Sequence, residues 1–193
     1  MASQQGDRRG DLLEVAASRF VEDGMRATTM ESIARGAGAG KATLYRYFSD
    51  KDAVVEALLV REIERLERRM QRSMEPAGDS AARVEAGFLA ALGFLVEHPL
   101  LARGRGDDPA ALLERITATD GGHVERLLRP FADVVAGGVA SGEFRNVDPR
   151  AAAEIAVRLL LSYVAFPPMD LRVEDDVQAR TLARALSEGL ARR

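Results

Sequence analysis

The sequence predicts an all-α protein, and three observations support that fold class. Apolar residues recur at three- and four-residue spacing through long segments of the chain. The alternation of apolar and polar residues that marks a half-buried strand is lacking. Glycines, prolines and capping residues divide the segments into nine predicted helices.

The first two helices are predicted near the N-terminus. The first covers about residues 7–22, and Gly24 can end it. Its apolar face carries Leu12, Leu13, Ala16 and Phe20. Thr28 and Glu31 have the spacing of a capping box, with Thr28 as the N-cap. This box predicts a short second helix that ends near Gly36.

A turn at residues 37–39 leads into a third short helix, predicted over residues 40–48. Gly38 can take a left-handed conformation in this turn without a steric cost. Residues 49–52 repeat the capping pattern, which predicts a long fourth helix that ends near Met74.

Five further helices are predicted after a break at residues 75–79. They cover about residues 80–97, 108–120, 123–141, 149–166 and 174–191. Two of them start at an Asp-Pro pair, Asp108-Pro109 and Asp148-Pro149, because Asp is a good N-cap and Pro suits the first helical position. The breaks are Pro99, a loop at 102–107, Gly121-Gly122, Gly142 and Pro167-Pro168.

Composition restricts the possible chemistry. The 193-residue chain has a net charge of -3 and no cysteine, which excludes disulfides, thiolate zinc sites and cysteine nucleophiles. His98 and His123 are far apart and form no metal motif, so no metal and no cofactor are predicted. No secretory signal is recognisable, and no apolar run approaches the roughly 20 residues of a membrane span. A cytoplasmic protein that does not enter a membrane is predicted.

One segment of this acidic chain is basic. Between Arg26 and Lys51 there are five cations and two anions, a local net charge of +3. Such an asymmetry fits a small DNA-facing surface on an otherwise acidic body.

Residues 28–48 have helix-turn-helix spacing. Ala34 is small enough to let two helices approach, and Gly38 suits the reversal of the chain. Leu44 and Phe48 are predicted to face the core. The exposed or rim positions of the second helix are then Lys41, Ala42, Thr43, Tyr45, Arg46 and Tyr47. In a helix-turn-helix this second helix enters the major groove of DNA.

These residues resemble the TetR/AcrR family of transcriptional regulators over about residues 8–60. The resemblance is carried by residues 28–34 (TTMESIA), by residues 38–48 (GAGKATLYRYF) and by Lys51. The family often has Ser or Thr where this chain has Gly40, which is a weaker cap for the recognition helix. The resemblance implies a DNA-binding domain over 1–50 and an effector-binding and dimerisation domain over 51–193.

The resemblance also implies roles for eight side chains. Lys41, Ala42 and Thr43 are expected at base edges or phosphates. Phosphate contacts are expected from the side chains of Tyr45, Tyr47 and Lys51, and from backbone N–H groups of the helix start at Thr28. Arg46 is either a further phosphate contact or solvated. Packing in the core remains an alternative for Tyr45.

The last two long helices carry apolar stripes that need burial. The stripes consist of Ala152, Ile155, Ala156, Leu182, Leu186 and Leu190. Burial within one chain would satisfy them, but the resemblance implies a homodimer with a four-helix interface. A two-fold dimer also matches a palindromic operator.

The middle helices are expected to supply a pocket for an unidentified, largely apolar small-molecule effector. Its candidate lining is Phe88, Leu92, Leu95, Phe131, Val135, Leu159, Tyr163 and Phe166. Polar candidates are His98, His123, Arg158, Ser162 and Tyr163. The fourth helix, with Lys51 at its start and Leu58, Leu59 and Ile63 further on, is the expected lever between effector and DNA.

The sequence therefore predicts a homodimeric repressor that a small effector releases from DNA. A transcriptional activator of the same fold and a helical protein-interaction module remain alternatives. An enzyme is not predicted, since paired histidines, a phosphate-binding glycine loop and the Glu-x-x-His pairs of di-iron bundles are absent from the sequence.

Overall fold

The computed structural model describes residues 2–101, 109–118, 122–166, 172 and 175–191. Within these residues the chain forms nine helices. They are α1 (Ala2–Asp23), α2 (Met30–Gly36), α3 (Lys41–Tyr47), α4 (Lys51–Met74), α5 (Ser80–Glu97), α6 (Pro109–Thr117), α7 (His123–Ser141), α8 (Pro149–Ala165) and α9 (Asp176–Glu188). The all-α prediction is confirmed, and most predicted helix ends agree within two or three residues.

α1 begins several residues before the predicted start. Residues 2–6 contain no apolar side chain beyond Ala2, so the periodic pattern used for prediction has no signal there. The only extended pairing among the described residues is an isolated bridge between Phe144 and Ala191.

Glycines end or reverse helices where the sequence predicts. Gly24, Gly38 and Gly142 all have positive φ, at 85°, 56° and 81°. The predicted start at Asp148 is also found, since its carboxylate accepts hydrogen bonds from the N–H groups of Arg150 and Ala151. Four predicted breaks or caps fall wholly or partly outside the described residues, namely the loop at 102–107, Asp108, Gly121 and Pro167-Pro168.

The predicted capping box at Thr28 and Glu31 is wrong by one residue. Thr29 is the N-cap of α2, and its partner in the box is Ser32. The hydroxyl of Thr29 accepts from the N–H of Ser32, and the hydroxyl of Ser32 accepts from the N–H of Thr29, both at 3.1 Å. The carboxylate of Glu31 is therefore not part of the box, and it accepts a hydrogen bond from Lys41 instead.

The chain divides into two compact units, and the division falls within α4 after Glu62. The first unit buries apolar side chains of α1, α2, α3 and the beginning of α4, among them Leu12, Phe20, Ile33, Leu44, Phe48 and Val54. The predicted core positions Leu44 and Phe48 are confirmed. The predicted domain boundary after residue 50 stays a prediction.

In the second unit α7 packs on α8, and α5 packs on α7, α8 and α9. One core cluster consists of Val84, Val135, Phe144, Ala152 and Leu190, with Leu186 packed against it. Three residues predicted at a dimer interface, Ala152, Leu186 and Leu190, therefore pack against the interior of their own chain. The physical reason is that Phe144, which follows the turn at Gly142, is buried in the same cluster and provides apolar surface that these residues cover.

The second unit also contains a buried carboxylate between α4 and α7. Glu67 accepts hydrogen bonds from Arg129 and, at 2.9 Å, from Arg126. Arg126 also lies 3.5 Å from Glu64. Burial acts to raise the pKa of Glu67, but the two guanidinium groups outweigh it and hold the pKa below its ordinary value.

Two neighbouring glycines in α7 should respond oppositely to substitution by alanine. A Cβ at Gly138 would lie 2.4 Å from Phe144 Cδ2 and 2.9 Å from Ser80 Cβ, whereas a Cβ at Gly137 meets nothing within 4 Å. We expect Gly138→Ala to lower the free energy of unfolding by about 2 kcal/mol through overpacking. Gly137→Ala should raise it by up to about 1 kcal/mol because alanine favours the helix.

Guanidinium unfolding of both variants at one protein concentration measures this difference. Equal effects of the two substitutions would contradict the packing of α7 on Phe144.

No helix in the described part of the chain combines the length and the apolar character that crossing a membrane requires.

Candidate functional site

The first unit contains a short helix, a tight turn and a second short helix, in the order α2, turn, α3. The N–H groups of Ala37, Gly38 and Ala39 donate to carbonyls in the last turn of α2, at 3.0, 3.1 and 2.8 Å. These bonds fix the chain reversal, and the left-handed Gly38 permits it. α3 then begins at Lys41, and its N-cap residue, Gly40, has no side chain that could cap the helix.

α3 buries one face and presents the other to solvent. Leu44 is fully buried, and Phe48 is buried just after the helix. The solvent-facing side consists of Lys41, Ala42, Tyr45 and Arg46, with Thr43 and Tyr47 half-buried at its edges. Tyr45 is 44% exposed, so the alternative that it packs in the core is wrong. We call these six residues the α3 face.

Lys41, at the start of α3, is held by two side chains. Its ammonium donates to Glu31 Oε1 of α2 at 2.5 Å and lies 5.9 Å from the centre of the Tyr45 ring. Both members of the ion pair are more than half exposed. The hydrogen bond and the charge of Lys41 lower the pKa of Glu31, and Glu31 raises the pKa of Lys41.

Arginine side chains extend the positive charge beyond Lys41. The guanidinium of Arg46 lies 5.2 Å from the centre of the Tyr47 ring. Arg9 of α1 lies 5.1 Å from the ring of Phe48, and Arg8 donates to the carbonyl of Ala37 in the turn at 3.2 Å. Two arginines of α1 thus lie against the turn and the end of α3.

Lys51 stabilises the segment before α2. Its ammonium donates to the carbonyls of Met25, Arg26 and Thr28, at 2.9, 3.3 and 3.1 Å. Since an ammonium has three N–H donors, these bonds use its whole capacity. The expected phosphate contact of Lys51 would have to compete with them.

Thr28 does not present its hydroxyl to solvent. The residue is 1% exposed, and its hydroxyl donates to the carbonyls of Gly24 and Arg19 at 2.8 and 3.2 Å. The phosphate contact expected at Thr28, through backbone N–H groups at the start of α2, does not involve this hydroxyl and stays a prediction. The exposed hydroxyl at this helix start belongs to Thr29, which caps α2.

The predicted effector-site residues lie in the second unit but do not all line its interior. Phe88 and Leu92 of α5 and Phe131 and Val135 of α7 are fully buried. Leu95, Leu159 and Tyr163 are half-buried, and burial raises the pKa of the Tyr163 phenol. Phe166 is 65% exposed, so its assignment to the lining is wrong.

The polar effector candidates that can be described bond or pack within the protein. Ser162 donates to the carbonyl of Leu159, and Arg158 is exposed and bonded to Glu154. His123 is buried at the first position of α7, and the ring of His98 lies 5.2 Å from that of Phe94.

The predicted dimer stripe is exposed at only one of its six positions. Ile155 of α8 is 62% exposed, Leu182 is half-buried and Ala156 is buried. The other strongly exposed apolar side chains near these helices are Phe166 and Val177. Phe166 and Val177 are apolar surface that the sequence reasoning did not assign to the interface.

Sequence reasoning missed Glu31, Arg8 and Arg9 at the α3 face. Glu31 was assigned to a capping box, although its charge is opposite to that of Lys41 in the same motif. The adjacent pair Arg8-Arg9 lies one turn before the apolar residues Leu12 and Leu13 of α1, a spacing that puts it beside the buried face.

Comparison with known proteins finds a family model for the same region. The model for bacterial regulatory proteins of the tetR family matches residues 12–58. The transcriptional repressor KstR2 of Mycolicibacterium smegmatis is 31% identical over 147 residues, which are 74% of this chain and 70% of that protein. KstR2 of Mycobacterium tuberculosis is 36% identical over 98 residues. In that alignment the chain spans about half the length of the relative, 49%.

Two solved structures share the fold over nearly the whole chain. The transcriptional regulator FadR of Bacillus subtilis, in complex with stearoyl-CoA, has a TM-score of 0.70 and 18% identity, and the match covers 94% of this chain and 96% of that one. The regulator AibR, in complex with isovaleryl coenzyme A and operator DNA, has a TM-score of 0.65 and 18% identity, covering 91% and 96%.

Proposed function

Because the chain belongs to the TetR family of bacterial regulatory proteins, we propose that it is a homodimeric transcriptional repressor. It binds operator DNA through the α3 face and leaves the operator when a small effector binds. The observation that carries this proposal is the α3 face itself, with exposed Lys41, Tyr45 and Arg46 on a helix that packs on the core through the buried Leu44. The named relatives are regulators rather than enzymes.

The residue roles follow from chemistry and position. Lys41, Ala42 and Thr43 are at the N-terminal end of α3, the part of a recognition helix that meets base edges. Tyr45, Arg46 and Tyr47 supply hydroxyl and guanidinium donors for phosphates. Lys51 contributes by keeping the segment before α2 in place.

We infer a dimer because operator recognition by a helix-turn-helix usually uses two half-sites. The surface proposed for it includes Ile155 of α8, together with Val177 of α9. Large aliphatic side chains that are exposed in one chain are the type of surface that a second copy would cover.

The effector class proposed is an acyl-CoA thioester. FadR and AibR are solved with stearoyl-CoA and isovaleryl coenzyme A. In this chain the large apolar side chains of α5 and α7, with Leu159 and Tyr163 of α8, are the residues that would contact the acyl chain. α4, which belongs to both compact units, is the proposed lever.

Fluorescence anisotropy with the purified protein tests DNA binding. We expect tight binding to the chain's own upstream DNA that weakens steeply with salt. Lys41→Ala and Tyr47→Phe should each reduce the affinity by about 10-fold, since each removes one contact of about 1–3 kcal/mol. Tyr163→Phe, which removes a hydroxyl in the second unit, is the matched control and should leave the affinity unchanged. Equal losses in all three variants would contradict the role of the α3 face.

Titration of the protein–operator complex with acyl-CoA thioesters of graded chain length tests the effector class. Release should show an optimum of chain length, and free coenzyme A should not release the operator. If no acyl-CoA shifts the operator affinity, the effector class is wrong while DNA binding stands.

A further inference from the structure

An ion pair joins Glu31 of α2 to Lys41 of the α3 face. Glu31 is in the first turn of α2, and Lys41 is the first residue of α3. Their 2.5 Å contact therefore joins the two helices of the helix-turn-helix across its solvent-facing side. Both side chains are exposed, so the pair is not needed to satisfy a buried charge.

The two lysines of the chain are the first residues of α3 and α4, and both ammonium groups are already bonded within the protein. Lys51 is bound to three backbone carbonyls, and Lys41 is bound to Glu31. A phosphate that attracts Lys41 must therefore compete with a carboxylate of the protein.

We propose that Glu31 is a specificity-determining residue that acts through Lys41, by lowering the affinity for non-specific duplex more than the affinity for the operator. This inference rests on the proposed function. In a random duplex, Lys41 is attracted mainly by phosphates, and a phosphate competes with the Glu31 carboxylate for the same ammonium, so binding weakens the ion pair.

At the operator this cost is smaller because guanine O6 and N7 are neutral acceptors, whereas a phosphate brings a second negative charge next to Glu31. An ammonium has three N–H donors, so Lys41 can keep its bond to Glu31 and still donate to acceptors such as guanine O6 and N7. Glu31 then fixes the direction of a side chain that would otherwise sample many rotamers. Its pairing with Lys41 is also consistent with the lowered pKa of its carboxyl group.

The test compares Glu31→Gln with wild type on two duplexes, the operator recovered by selection and a random sequence. For the random duplex we expect a gain of about 5-fold in affinity and a salt slope steeper by about one, because one more cation is free for phosphates. For the operator we expect a change of less than about 2-fold, so the specificity ratio falls.

Two further variants separate this role from a general effect of charge. Glu14→Gln is the matched control, because Glu14 is an exposed carboxylate of the same unit and pairs with Arg61 at 2.9 Å. It should change both affinities equally and slightly. In a Lys41→Ala background, Glu31→Gln should have no larger effect than Glu14→Gln.

The pair can also be observed without DNA. Lysine-selective labelling gives only two ammonium signals in NMR spectra, from Lys41 and Lys51. Glu31→Gln should shift the signal of Lys41 and leave that of Lys51 in place.

The outcomes separate the two proposals. A wild-type protein that does not prefer any duplex overturns the proposed function and this inference together. If wild type prefers its operator but Glu31→Gln keeps the same specificity ratio, or acts equally in the Lys41→Ala background, only the role of Glu31 is overturned.

Discussion

Replacing both Arg126 and Arg129 with alanine is expected to lower the free energy of unfolding at pH 7 by about 3 kcal/mol, because the buried carboxylate of Glu67 then loses both guanidinium groups that pair with it. In wild type the two guanidinium groups compensate the cost of burying that charge. This loss of stability is large for the removal of two partly exposed arginines, because it leaves the charge of the buried Glu67 carboxylate uncompensated.

The difference in unfolding free energy between wild type and the double variant depends on the pH. In wild type the pKa of Glu67 lies below its ordinary value, so its stabilising contribution is present above the ordinary pKa and is lost as the pH falls through the lowered one. Without the arginines, burial alone acts and raises the pKa. The gap in stability between wild type and the double variant should therefore shrink as the pH falls from 7 to 4.

Unfolding by guanidinium at several pH values, at one protein concentration, measures both effects. Arg150→Ala is the matched control, because Arg150 pairs with the exposed Glu125 at 2.7 Å and its loss should change stability little. A double variant as stable as this control would show that Glu67 does not depend on the two arginines.

Replacing Ile155 with glutamate is expected to convert the protein to a monomer and to reduce operator affinity by about 100-fold or more, because two linked half-site contacts become independent. Ile155 is exposed within one chain, so the substitution should not disturb the folding of the chain itself. In a dimer it would bury an unpaired charge at the interface.

Light scattering and anisotropy on the same samples test this expectation. Val96→Glu is the matched control, since Val96 is an exposed apolar residue of α5 outside the proposed interface. If Ile155→Glu remains a dimer with normal operator affinity, then Ile155 lies outside the interface. A wild-type protein that is monomeric while bound to DNA would contradict the dimer itself.

Periodicity and capping chemistry predicted the fold well because both are local. The order of nine helices and the left-handed turns at Gly24, Gly38 and Gly142 depend on residues close in sequence. The shift of the cap from Thr28 to Thr29 was missed because adjacent threonines are equivalent as caps. Only the buried pocket formed by the carbonyls of Arg19 and Gly24 distinguishes them.

The partners of the site residues were less predictable because they come from distant parts of the chain. Lys51 bonds to residues more than twenty positions earlier, and Lys41 bonds to Glu31 across a turn. Similarly, the apolar stripe of the last two helices was predicted to be an interface, but part of it packs with Phe144 of the same chain. Periodicity identifies a face that needs burial, but it does not identify the element that covers it.

We expect this chain to recognise a two-fold symmetric DNA site through the α3 face. Selection of bound duplexes from a random-sequence library with the purified protein tests it most directly. The selection should enrich a palindrome whose half-sites are separated by about one helical turn, roughly 10 base pairs, and Lys41→Ala should abolish that enrichment. Recovery of sequences without a shared motif, or of one that Lys41→Ala enriches equally, would contradict the account.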